Sequence, residues 1–279
     1  MLALFSCVLA LIWFWIEFGM GYFPALFPIF VCAGIYVLYH AKSSYLLFLT
    51  VVVSACLWLE SLVTQGHGVH RYGFNISIEH FVVAVALTIL GYSVAEWMFH
   101  RNTSRTKDYA TILSLWSLRL GLLLLFILSF ADPWREMMRD NWEYGQTMLM
   151  IVVPVLLAAL GFAFVAKRLR VVLPAVLISS GALAAVVLWG HRDHAVVYQI
   201  VVNLCLIVAG ILLIVRGTRS DTSHYYFMGV GTIVITALLR YFDLVGDFIG
   251  GAILFAVMAA IMLAAARFWR ARNDKEAAS

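Results

Sequence analysis

Residues 146–166 read QTMLMIVVPVLLAALGFAFVA, with no Asp, Glu, Lys or Arg among them. Wound as a helix, this stretch is about 31 Å long, the thickness of a bilayer's hydrocarbon core. Lys167-Arg168-Leu169-Arg170 follow at once, the basic punctuation that marks the cytoplasmic end of a span. Working outward in both directions, the same pattern recurs. Apolar runs fall at about 2–19, 22–39, 45–64, 78–99, 110–131, 146–166, 171–190, 195–215, 225–242 and 248–268, each near the length a bilayer demands. The runs do not alternate apolar with polar residues as barrel strands do, and an open sheet edge would leave its backbone unpaired in lipid, so the expected elements are helices.

Composition bounds the same answer. The chain has 279 residues, 64% hydrophobic and only 12% charged, with a mean hydropathy of +0.96. A soluble fold of this size cannot hide so much apolar surface, so the bilayer itself is the first partner. Ten spans nearly exhaust the chain and leave no room for a soluble catalytic domain. The expected fold class is all-α: a polytopic transmembrane helical bundle of about ten spans, forming a single domain over residues 1–279. Its possible halves, 1–131 and 146–279, are joined by an outer loop 132–145. An odd number of spans in each half would make the halves inverted in the membrane, although no sequence repeat relates them. Cys7, Cys32, Cys56 and Cys205 lie in apolar runs without CxxC spacing and read as small hydrophobes. The first run has no basic segment before it and no clear cleavage site, and reads as a retained helix.

Charge orients the bundle. One set of alternate connections holds Lys42, the clusters Arg101/Arg105/Lys107, Lys167/Arg168/Arg170 and Arg216/Arg219, and the basic tail from Arg267 to Lys275. The other set holds only Arg71, Arg135, Arg139, Arg192 and Arg240. Positive loops stay in the cytoplasm, so both termini are expected inside. The acidic residues lean to the outer face, which a wet rim explains without a functional role. No basic arm with interleaved aromatics appears, and no nucleic acid is expected. The outer loop 132–145 is amphipathic. Trp134, Met137, Met138 and Trp142 share one helical face, as in a short interfacial helix.

Within this frame a few polar residues carry the chemical expectations. Arg119 stands in Leu115-Trp116-Ser117-Leu118-Arg119-Leu120, roughly 13 Å into its span. An arginine at that depth costs about 2.5–3.5 kcal/mol and is expected to face the bundle with a partner. It reads either as a binding or gating residue for an anionic solute or as a structural arginine. Glu17 and Glu60 lie in apolar sequence near the outer ends of their spans. Each is a candidate substrate-binding carboxylate or simply a wet one. Glu96 and His100 are four apart on one helix face, the spacing of a proton relay, though an interfacial pair beside Trp97 is the simpler explanation. Two HxxH pairs, His67/His70 and His191/His194, lie on the outer side with Glu79-His80. Imidazoles are ordinary at interfaces, so no metal is assigned. No Gly-rich phosphate cradle, Rossmann fingerprint, GxSxG or HExxH occurs, and no cofactor is expected.

The last sixty residues carry a further pattern. Arg216-Gly217-Thr218-Arg219 and Tyr226-Phe227-Met228-Gly229-Val230-Gly231 lead into Leu239-Arg240-Tyr241-Phe242-Asp243-Leu244-Val245-Gly246-Asp247, and then a final apolar helix. This stretch resembles the C-terminal portion of the DUF2157 and DUF4401 group of bacterial membrane proteins, whose hallmark is the RYFDL run. The resemblance implies a bacterial cytoplasmic (inner) membrane location and no particular activity. Physically, Arg240, Asp243 and Asp247 share one helix face and read as a structural clamp between the last two helices. Three functions remain open at this level: a small-solute transporter with a central polar site at Arg119, a scaffold or accessory subunit docking a membrane protein partner, and a membrane-embedded enzyme on a lipid-linked substrate.

Overall fold

In a computed structural model, the described residues are 12–13, 16, 27–40, 45–65, 78–101, 104–139, 145–189, 195–244, 256–264 and 267. Among them every regular element is a helix. In chain order these are α1 (Phe27–His40), α2 (Tyr45–Gln65), α3 (Ile78–Arg101), α4 (Ser104–Leu128), α5 (Ala131–Arg139), α6 (Gly145–Val165), α7 (Leu169–Trp189), α8 (Ala195–Arg219) and α9 (Ser223–Leu244). Residues 256–264 are also helical.

Five helices are long and apolar enough to cross a membrane: α2 over Tyr45–Val63, α3 over Glu79–Arg101, α4 over Thr106–Leu128, α6 over Gln146–Val165 and α8 over Ala195–Arg219. Shorter apolar stretches lie in α1 (Phe27–Leu38) and α7 (Leu169–Ala185). The ninth expected span is helical as α9, with Ser223, His224, Thr232, Thr236, Arg240 and Asp243 among its apolar residues, and it is not one of these five. Most of the first and last expected spans lies outside the described residues. The outward faces fit lipid. On α6, Leu149, Met150, Val153 and Leu157 are exposed, and on α8, Ile200, Leu204, Val208, Ile211 and Leu212 are exposed. Continuous apolar faces of this kind associate or aggregate in water, whereas hydrocarbon solvates them.

The chain forms two compact units. The first contains Met1–Leu124 and Arg135–Arg192, the second Leu125–Trp134 and Asp193–Ser279. These units do not coincide with the expected halves 1–131 and 146–279. The helices α6 and α7 belong to the first unit because α6 packs along α3. Val63 of α2, Val83 and Leu87 of α3, and Met148, Val152 and Val155 of α6 make one core. Ala163, Val172 and Val176 extend it to α7 against Ile89 and Tyr92. The helix α4 joins through Gly91 of α3, where an added Cβ would lie 2.6 Å from the Ser117 hydroxyl. Its start is held by Tyr109, stacked on Phe48 with ring centroids 4.6 Å apart. With lipid outside, these contacts gain by close packing rather than by escape from water.

The second unit is built on the α8–α9 hairpin. Buried Val202, Leu206, Gly210, Leu213 and Gly217 form a single stripe along α8, the three-and-four spacing of one helix face. An added Cβ on Gly229 of α9 would lie 2.5 Å from the Gly210 carbonyl and 2.8 Å from the Ile214 nitrogen, and one on Gly217 would strike the Tyr226 backbone. The two backbones touch, and only glycine permits it. Both helical hairpins turn through a left-handed residue, Lys167 at φ 57° and Asp221 at φ 50°. In each, an amide reaches five residues back: Arg168 N–H donates to Ala163 at 2.9 Å and Thr222 N–H to Gly217 at 3.0 Å. This bond satisfies a carbonyl that the helix end leaves open.

Candidate functional site

Glu60 lies in α2 about five residues from its end, with Cys56 one turn earlier on the same face. Cys56 and Leu59 pack against the core of Val63, Val83 and Met148. Glu60 Oε2 is buried and has no hydrogen-bond partner among the described residues. An ionised carboxylate is an acceptor only. Leaving one of its oxygens enclosed without a donor is costly, and such groups within spans are held for function more often than for stability. Chemically, this oxygen offers a place for a proton or a small cation. Glu17 lies outside the described residues.

Arg119 departs from its expectation. It lies on the exposed face of α4 rather than toward the bundle, and its guanidinium sits over the Trp116 ring, 5.7 Å from the centroid. The inward face of α4 is taken by Ala110, Leu113, Ser114 and Ser117. Sequence position fixes how deep a residue lies, whereas its azimuth is set by whichever residues win the inner face. On this helix small residues win it, because they permit the close approach at Gly91.

Glu96 is buried in α3, and its Oε2 lies 3.7 Å from Arg168 Nε. His100, the relay partner expected one turn away, is exposed. The ion pair ties the end of α3 to the α6–α7 turn. Beside it Trp97 contacts Phe162 at 5.4 Å, and Arg101 lies over the Trp97 ring at 4.9 Å. The arrangement is a fastening at the basic end of the unit, and Arg168 is largely exposed.

In the second unit, polar groups from three parts of the chain converge where α4 ends. The helix stops at Leu128, and Ser129 and Phe130 form the turn into α5. Trp134 of α5 is buried, and its indole N–H donates to the Leu128 carbonyl at 2.6 Å. Its ring stacks on Tyr198 of α8 at 5.0 Å. Asn203 of α8 donates to the Ser129 carbonyl at 3.4 Å and to the Gln199 carbonyl at 2.8 Å, and its Oδ1 is buried without a partner among the described residues. Arg240 of α9 donates through Nη2 to Ser129 Oγ at 3.3 Å and lies over the Phe130 ring at 5.1 Å. Arg240, expected in a clamp with Asp243 and Asp247, thus also reaches a serine 111 positions away in the chain. The Asp243 side chain and all of Asp247 lie outside what the structure describes.

This junction also revises the interfacial-helix expectation. The helix exists as α5 and is strongly amphipathic, but Trp134 turns into the protein rather than toward headgroups. Ser129, Trp134 and Asn203 were not singled out as site residues in the sequence. A tryptophan just past an apolar run is the one signal that was available, and it reads equally well as a belt residue. The HxxH pairs at His67/His70 and His191/His194 lie outside the described residues. No protein-family model, curated protein or solved structure matches the chain.

Proposed function

We propose that this chain is a ten-span protein of the bacterial inner membrane with both termini in the cytoplasm, and that it moves a small solute across the bilayer. In this reading Glu60 is the group that takes up and releases a proton or small cation during the cycle. The observation that carries it is the enclosed, unpartnered Oε2 of Glu60 within an apolar candidate span. A carboxylate serving only the fold would be expected to find a donor. The orientation rests on the excess of Lys and Arg in one set of connections, and the bacterial location on the RYFDL resemblance. Arg119, on an exposed face, has no part in this site.

Protons are the probe that requires no knowledge of the solute. The purified full chain in proteoliposomes, with a pH-sensitive dye inside, is expected to dissipate an imposed pH gradient faster than empty vesicles. Glu60→Gln is expected to abolish that excess. A carbodiimide that modifies membrane-embedded carboxylates should block the wild type and label the peptide containing Glu60. Equal dissipation by wild type and Glu60→Gln would remove Glu60 from the mechanism. A wild type no faster than empty vesicles, with Glu60 unlabelled, would remove the proton or cation role altogether.

A further inference from the structure

Most exposed span faces described above are purely apolar; the exposed face of α4 is not. Trp116, Arg119, Leu120 and Leu123 lie at i, i+3, i+4 and i+7, so they form one stripe. Trp116, Leu120 and Leu123 are 42%, 46% and 54% exposed. Arg119 sits in the middle of this stripe, about 20 Å from the start of the candidate span at Thr106 and about 13 Å from its end at Leu128. Among the described residues it meets the ring of Trp116, a turn nearer the helix start. The guanidinium thus leans away from the closer headgroup layer, which is the opposite of snorkelling. A cation held at this depth against lipid tails is costly and calls for an anion brought to it.

Two sources of that anion fail on the geometry. Lipid phosphates lie beyond the hydrocarbon core, and the side chain leans away from the nearer layer. A second copy related by a two-fold axis would set Arg119 against Arg119 at equal depth, cation facing cation. Among the described residues, no other face of this chain offers a suitable acid. Within the five candidate spans the described acidic residues are Glu60, Glu79, Glu96 and Asp108. The Glu60 Oε2 is enclosed, Glu79 and Glu96 are buried, and Asp108 lies near the start of α4.

We propose that the stripe Trp116–Arg119–Leu120–Leu123 seats a membrane-spanning helix of a different protein, one that carries an Asp or Glu at mid-depth. The carboxylate meets the Arg119 guanidinium, and the indole and two leucines pack on either side of the pair. Water is excluded there, so the charge match selects the partner.

The probe is a dye-labelled leucine–alanine helix with a single central Glu, compared with the same helix carrying a central Leu. Both are incorporated into phosphatidylcholine vesicles with the full-length protein, and energy transfer reports association. The Glu helix is expected to bind the wild type at least tenfold more tightly than the Leu helix. Arg119→Leu should erase the difference, and Arg119→Lys should keep part of it. Leucine suits a lipid-facing position, so lost preference in Arg119→Leu does not report unfolding. Equal binding of the two helices, or a preference that survives Arg119→Leu, overturns the proposal. Efficient cross-linking between two copies of a Leu123→Cys chain also overturns it, because the face would then belong to self-association. The proton-flux assay reads a different residue, so either idea can fail alone.

Discussion

Trp134 does two jobs at the point where α4 stops. It donates to the Leu128 carbonyl and stacks on Tyr198. These separate by substitution. Trp134→Phe keeps the ring against Tyr198 but leaves the carbonyl without its donor, and is expected to lower stability by about 1–2 kcal/mol. Trp134→Ala loses both and is expected to cost about 3–5 kcal/mol. Thermal unfolding in detergent micelles measures each. Glu60 should behave in the opposite way. Replacing an enclosed, unpartnered carboxylate with leucine is expected to raise stability by about 1–3 kcal/mol in the same assay while removing proton flux. A function-for-stability exchange of that sign would distinguish a working residue from a structural one. At this scale the sequence was only partly readable. It placed Glu60 and Arg119 within spans, but whether a side chain turns inward depends on its neighbours' volumes. It paired Arg240 with acids three and seven positions along, and could not show a serine 111 residues away.

Among the elements, the α8–α9 hairpin is the tightest contact in the second unit, and glycine makes it possible. Gly229→Val is expected to force the helices apart at the Gly210 carbonyl and lower stability by about 1–3 kcal/mol or more. Gly121→Ala in α4 is the control, since an added Cβ there meets nothing within 4 Å. It is expected to be neutral or to add about 0.5–1 kcal/mol through helix propensity. Unfolding of the two variants side by side checks the pair. The positions of these helices were legible because an apolar run of bilayer length has few alternatives; α2, α3, α6 and α8 begin at or within a residue of where the runs begin. Their pairing was not legible. Gly210, Gly217 and Gly229 are ordinary glycines in sequence, and nothing local says which of them faces a backbone.

For the whole molecule, topology is the property to test. In a cysteine-free background, Arg135→Cys in the α4–α6 connection is expected to react with a membrane-impermeant thiol reagent added outside intact cells. Ser220→Cys in the α8–α9 turn is expected to react only after the membrane is opened. Reaction of both from outside would break the alternation on which the ten-span reading stands. The helical class and the apolar surroundings were legible in the sequence, because composition alone forces them. How the chain divides into units was not legible. A loop of polar residues at 132–145 looks like a boundary, but a boundary is set by which helices pack, and α6 packs on α3.

The two left-handed turns at Lys167 and Asp221 bear on how the protein is made. Each joins its helices through three residues, so on the ten-span reading the second leg follows the first into the bilayer almost at once. In α8 and α9 the legs also share a glycine seam, and the same reading expects the two to insert as a pair. A lesion at Gly217 or Gly229 should then appear as rapid turnover of the newly made chain.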